Sequence, residues 1–189
     1  MKRIAILASG SGTNAENIIR FFRTHPLGRV DLVLTNKPGA GVIQRAESLK
    51  VKTVVFGREQ FYHSREIVDL LKERKIDLIV LAGFLWLVPP ALISEFNGRI
   101  VNIHPALLPR YGGKGMYGSH VHEAVVASGD AESGITIHHV NQEYDEGSII
   151  FQAKCKVMEG DSAETLAGRI HSLEYEHFPR VIEALLDQL

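Results

Sequence analysis

Arg3-Ile4-Ala5-Ile6-Leu7-Ala8-Ser9-Gly10-Ser11-Gly12-Thr13-Asn14-Ala15 decides the fold. The run Arg3–Ala8 is apolar and rich in strand-forming residues, with no polar alternation. A strand of this kind is buried on both faces, as in a parallel sheet covered by helices. It ends at two glycines, and helical spacing follows from Asn14 through Phe22. The same unit recurs. Val30–Leu34 stops at Thr35-Asn36-Lys37-Pro38-Gly39 and leads to a helical Gly41–Leu49. Thr53–Phe56 precedes a helix over Ser64–Arg74, with Ile67, Leu70 and Leu71 on one face. Leu78–Ala82 breaks at Gly83 before a proline-opened helix, Pro89–Glu95, and Arg99–Ile103 is a fifth strand. Strand and helix alternating in this way predict an α/β fold. The sheet is doubly wound and mostly parallel, with helices on both faces.

The last third changes character. Gly134–Val140 and Ile149–Val157 alternate and flank a polar turn, Asn141–Gly147, so they read as an antiparallel hairpin added to the sheet. Ala163–Leu186 is one long helical pattern, expected to kink or restart at Pro179. No repeat or linker divides the chain, and a single domain over residues 1–189 is expected.

Composition removes several classes. Of 189 residues, 21 are Lys or Arg and 22 are Asp or Glu, a net charge of −1. A general nucleic-acid binder needs a basic face, and none is implied. With 45% hydrophobic and 23% charged residues the chain is an ordinary globular one. No apolar run approaches the roughly 20 residues that cross a bilayer, so no membrane partner is expected. Cys155 is the single cysteine. It reads as a packed small hydrophobe, and its isolation fits a reducing, cytoplasmic setting.

Ligands of open α/β sheets bind beyond the carboxyl ends of the strands. There the turn Gly10-Ser11-Gly12-Thr13-Asn14-Ala15 matches the dinucleotide pattern G-x-G-x-x-G/A. The second strand ends in Thr35-Asn36-Lys37, without the carboxylate that holds a ribose, and no Lys-Ser/Thr follows the glycines. A single phosphate on the N–H groups of a helix start fits better. A dinucleotide, or a turn without ligand, are the other two readings. At the end of the fifth strand, Asn102 and His104 point to one face. An amide donor beside an imidazole suits a carbonyl that becomes an oxyanion. Asp145 on its own reads as a turn residue. Were the hairpin folded back over the sheet edge, it would lie beside His104, where a carboxylate orients the ring and raises its pKa.

Asn102-Ile103-His104-Pro105-Ala106-Leu107-Leu108-Pro109, Gly83-Phe84, and Asp145 with Gly147 together resemble the signature of the folate-dependent formyltransferases. With the opening Ser9–Asn14 turn, the order and spacing are similar to the glycinamide ribonucleotide transformylase family over nearly the whole chain. The resemblance implies a formyltransferase fold and formyl transfer from 10-formyltetrahydrofolate, as co-substrate, to glycinamide ribonucleotide in purine biosynthesis. It implies Asn102, His104 and Asp145 as the catalytic set. Asn102 and protonated His104 would stabilise the tetrahedral oxyanion, while Asp145 holds the imidazole. It assigns Ser11, Gly12, Thr13, Asn14, Gly83 and Glu174 to the ribonucleotide. Arg65 and Asn102, with Leu85, Trp86, Leu87 and Val88 and the segment Val140, Asn141, Gln142, Glu143 and Tyr144, fall to the folate. No metal and no nucleic acid is implied, and the assembly is a monomer or homodimer. The length of 189 residues is expected to exclude the two-domain members.

Other readings of these residues stand beside the resemblance. Arg65 and Glu174 also read as ordinary helix-surface charges, and Trp86 as core or as cleft wall. Trp86 falls where some relatives have arginine, so folate contacts there are expected through backbone. His171 falls where relatives have glutamine. The loop Arg110–His120 is longer than in the shortest relatives and carries four glycines, the composition of a mobile lid. His120, His122, His138 and His139 lack the carboxylates or thiolates of a metal site and read as surface or loop residues.

Overall fold

The computed structural model describes residues 1–189. Seven strands form one sheet: β1 (Lys2–Leu7), β2 (Gly28–Thr35), β3 (Lys52–Val55), β4 (Leu78–Leu81), β5 (Ile100–His104), β6 (Glu132–His139) and β7 (Ile149–Lys156). Their order is β3-β2-β1-β4-β5-β6-β7. The first five strands are parallel; β6 runs antiparallel to β5, and β7 antiparallel to β6. The doubly wound sheet with an added hairpin is therefore observed.

Six helices surround it: α1 (Thr13–Phe22), α2 (Gly41–Ser48), α3 (Glu66–Glu73), α4 (Pro90–Glu95), α5 (Ser119–Ser128) and α6 (Ala163–Asp187). None is long and apolar enough to cross a membrane. Alternation along the central strands feeds two cores. Ile4 and Ile6 of β1, and Leu78 and Val80 of β4, pack with α1 and α6. Ala5 and Leu7, and Ile79 and Leu81, pack with α3 and α4 on the other face. That is why these strands read as continuous apolar runs rather than alternating ones.

Three features depart from the sequence reading. A single π-helical turn, Glu59–His63, precedes α3, which begins at Glu66 rather than Ser64. Helix α5 lies beyond the long loop, where no helix was expected. Its apolar residues Val121 and Ala124–Ala127 are bunched rather than periodic.

The third concerns Pro179, which lies inside an uninterrupted α6. A proline lacks the N–H that would reach the carbonyl four residues back. That carbonyl belongs to Tyr175, and the Asn17 side chain on α1 donates to it at 2.9 Å. A long-range donor thus replaces the missing helical one. The start of α6 is fixed by a reciprocal cap, Thr165 N–H on Ser162 Oγ at 3.1 Å and Ser162 N–H on Thr165 Oγ1 at 3.0 Å. Replacing Asn17 by Leu leaves the Tyr175 carbonyl unpaired, and urea unfolding should show a loss of about 1 kcal/mol. Unchanged stability would contradict this role for Asn17.

Candidate functional site

From β1 the chain turns to β2 on one side, and it later returns to place β4 on the other. Loops after β1 and β4 therefore diverge, which opens a crevice at the carboxyl edge. A cleft of about 560 Å³ lies there. Ser9 ties its rim together. The Ser9 hydroxyl donates to Asn36 Oδ1 at 2.6 Å and accepts the Leu85 N–H at 3.0 Å. The ends of β1, β2 and β4 are joined by one buried side chain.

Ser11, Gly12, Thr13 and Asn14 line the cleft, and so do Gly83, Leu85, Asn102, His104, Tyr144, Asp145 and Glu174. Gly12 is the N-cap of α1, left-handed at φ 78°, and no side chain caps the helix. A Cβ on Gly12 would lie 2.5 Å from Val42, so this position requires glycine. The first N–H groups of α1 are open to an anion. Asn14 donates to Glu174 Oε2 at 2.9 Å, and His171 Nδ1 lies 2.9 Å from the same oxygen. Glu174 is only 5% exposed. It is a buried partner of the glycine turn, not a helix-surface charge. Its hydrogen bond to His171 raises the imidazole above the ordinary histidine value, against the opposing effect of burial.

At the other end of the cleft is a largely buried carboxylate, its side chain 11% exposed. Asp145 Oδ2 accepts the Gly113 N–H at 3.0 Å and lies 3.4 Å from His104 Nδ1. Its Oδ1 lies 3.4 Å from Asn102 Nδ2 and 3.6 Å from His138 Nε2. The three residues expected from the sequence are thus brought together. Burial pushes the Asp145 carboxyl up, yet His138, His104 and the Gly113 N–H outweigh it and hold the group below the usual aspartate value. The hairpin presents it through a left-handed Asp145, φ 58°. Gly147 follows because a Cβ there would meet the His139 carbonyl at 1.6 Å.

The ring tautomers follow from their partners. The Tyr111 carbonyl, 2.7 Å from His104 Nε2, only accepts, so Nε2 carries a proton. The His139 carbonyl, 2.8 Å from His138 Nδ1, fixes the His138 proton there. With the proton on Nδ1, His138 Nε2 accepts from Asn102 Nδ2 at 3.1 Å. His104 is 3% exposed. Burial lowers its pKa more than Asp145 and the Tyr111 carbonyl raise it. This corrects the expected upward shift: desolvation outweighs the carboxylate and holds His104 below the ordinary histidine value.

The sequence reading missed two residues. His122 and His138 are buried, at 4% and 2% exposure, rather than on the surface. His138 faces Asn102 because the antiparallel register pairs them directly. Period-2 alternation marks its face, but the register needed to pair it is not written in the sequence.

Other expected residues are not gathered into the cleft. Arg65 is exposed and holds Glu95 at 2.7 Å, with Asp69 at 3.7 Å. Val88 is buried in the core, and the Leu87 carbonyl accepts the Tyr62 hydroxyl at 2.9 Å. Trp86 packs among Phe56, Phe61, Tyr62 and Phe84, with the Arg58 guanidinium 4.8 Å from its ring centroid. Val140 donates its N–H to the Ile100 carbonyl at 3.0 Å. Asn141 Oδ1 accepts the Glu143 N–H at 3.0 Å, which shapes the turn around Gln142.

Fold and cleft define a doubly wound α/β protein whose cleft joins a helix N-terminus to a partly buried Asn–His–Asp set. Residues 2–182 match the family described as formyl transferase, and the chain belongs to that family. It is 39% identical to the chloroplastic phosphoribosylglycinamide formyltransferase of Arabidopsis thaliana, over 99% of this chain and 66% of the relative. It is 38% identical to the phosphoribosylglycinamide formyltransferase of Haemophilus influenzae, over 97% of this chain and 86% of that protein. The crystal structure of phosphoribosylglycinamide formyltransferase from Bacillus halodurans superposes with a TM-score of 0.86 at 40% identity, covering 98% of this chain and 95% of that one. The chain spans just under two thirds of the plant relatives' length, 66% and 62%.

The two turn glycines should respond differently to substitution. Gly12→Ala forces a left-handed alanine against Val42 and should cost about 2 kcal/mol or more in urea unfolding. Gly10→Ala has nothing within 4 Å of the added carbon and should stay within about 1 kcal/mol of the parent. Equal losses would contradict the geometry of the turn.

Proposed function

We propose that this chain transfers the formyl group of 10-formyltetrahydrofolate to the amine of glycinamide ribonucleotide, a step of purine biosynthesis. The observation that carries the reading is Asp145 set against Asn102 and His104 in the same cleft as the open N-terminus of α1. The ribonucleotide phosphate takes the N–H groups of Ser11–Asn14. Gly83 leaves room beside it, and Glu174 accepts from the ribonucleotide. The formyl-folate lies along Leu85 and Tyr144, with the backbone of Trp86–Val88 and Val140–Glu143 as its wall. Arg65 joins the folate site only by leaving Glu95.

The amine attacks the formyl carbon, and the formyl oxygen becomes an oxyanion in a tetrahedral intermediate. Asn102 has two N–H bonds. The shorter contact is held by His138, and the longer one, toward Asp145, is the one released to the oxyanion. His104 supplies its Nε2–H to the same oxygen, which takes the place of the Tyr111 carbonyl. The new C–N bond forms, the bond to folate N10 breaks, and one proton leaves the amine. Asp145 passes that proton, through water, to N10. Holding both substrates in register supplies much of the rate, since effective molarities reach roughly 10⁵–10⁸ M in favourable cases. No metal enters this scheme, and a cytoplasmic location goes with it.

A spectrophotometric assay tests the reading. Formyl loss should require glycinamide ribonucleotide, and equal loss without it would overturn transfer in favour of hydrolysis. His104→Ala and Asp145→Asn should each lower turnover by about 10² or more. Near-normal turnover in a folded variant would remove the role given to that residue.

A further inference from the structure

His122 has no place in the scheme above, yet it is a polar side chain with an unmet need. It lies in the first turn of α5, is 4% exposed, and lines the cleft. Its Nδ1 is fully buried with no hydrogen-bond partner. Its Nε2 makes no hydrogen bond either and is not enclosed like Nδ1, so Nε2 is the nitrogen on the cleft side. A stranded N–H is rarer in proteins than a stranded acceptor. The favoured tautomer therefore leaves the lone pair on Nδ1 and directs an Nε2–H into the cleft. Burial and the charge of His171 both keep the ring from taking a second proton. The Nε2–H has no partner within the protein, so a ligand oxygen in the cleft is the partner open to it.

Position says which partner. His122 lines the same cleft as His171 and Glu174 and as His104, and the charges of all three act on it. The first pair adjoins the glycine turn, where the phosphate is placed. His104 adjoins the reacting carbon. Between the phosphate and the amine of the acceptor lie only its ribose and its amide, both rich in oxygen.

We propose that His122 is a positioning residue that donates its Nε2–H to an oxygen in the ribose–amide midsection of glycinamide ribonucleotide. The assignment rests on the formyl-transfer reading. It adds a third hold on the acceptor, between the phosphate and the amine, which fixes the amine against the formyl carbon.

Equilibrium binding of glycinamide ribonucleotide and of 10-formyltetrahydrofolate, measured separately by calorimetry, tests it. His122→Leu keeps the buried volume and removes the donor. It should weaken the ribonucleotide about tenfold or more and leave the folate within about twofold. His122→Gln carries an N–H to nearly the same point and should restore the ribonucleotide to within about threefold of the parent. In turnover, the Leu variant should raise KM for the ribonucleotide and leave KM for the folate. Unchanged ribonucleotide binding in His122→Leu overturns the assignment, as does loss of both ligands together in the Gln variant. A wild-type protein that binds folate but no glycinamide ribonucleotide overturns both this assignment and the reading beneath it.

Discussion

A carboxylate removed from water needs partners, and the cleft is arranged around the partners Asp145 finds. They come from three separate parts of the chain: Asn102 and His104 at the end of β5, His138 on β6, and the Gly113 N–H in the loop beyond Pro109. Each lies on an element whose position is set by the sheet. The β5–β6 register puts His138 beside Asn102. The hairpin turn, closed by Gly147 against the His139 carbonyl, returns Asp145 over both. The Tyr111 and His139 carbonyls lock the two histidines into defined tautomers, and His138 and Asp145 hold Asn102 in one orientation. The polar set proposed to act on a carbonyl is thus ordered in the free protein.

The second organising feature is the switch at β1. Because β2 and β4 flank it with opposite winding, the loops after β1 and β4 part, and Ser9 bridges them to the end of β2. The glycine turn then presents the N–H groups of α1 to one end of the cleft, and Asp145 closes the other. Glu174 joins the long α6 to this framework through Asn14. The continuity of α6 through Pro179 depends in turn on Asn17 of α1. One helix thus leaves its first N–H groups open to the cleft and holds its neighbour straight with the next turn.

Much of this was legible in the sequence, for physical reasons. Buried parallel strands announce themselves as unbroken apolar runs, so β1, β2, β4 and β5 were plain, and so were the residues at their carboxyl ends. Asn102 and His104 follow from alternation at a strand end. Asp145 needed the resemblance to a family, because a polar turn does not say where it folds back. What stayed hidden depends on contacts between distant segments. The burial of His122 required α5, whose apolar residues lack a helical period. The place of His138 required a strand register. The unbroken α6 required an amide from α1, and Arg65 required a carboxylate, Glu95, that lies thirty positions further on. The direction of the His104 shift was also illegible. A neighbouring carboxylate raises a histidine, and only the depth of burial shows that desolvation outweighs it.

The balance between burial and Asp145 at His104 is the claim on which the site's electrostatics rest. NMR titration of the His104 ring, in the parent and in Asp145→Asn, measures it directly. The parent ring should titrate below the ordinary histidine value of about 6.5. Removing the carboxylate should lower it further, because the strongest negative charge favouring the imidazolium is gone. With a folded pKa below the unfolded one, the unfolded chain binds more protons between the two values. This histidine's contribution to stability is then full above about 6.5 and lost as pH falls toward the folded value. A parent His104 that titrates above the ordinary value, or a pKa that rises in Asp145→Asn, would contradict the account.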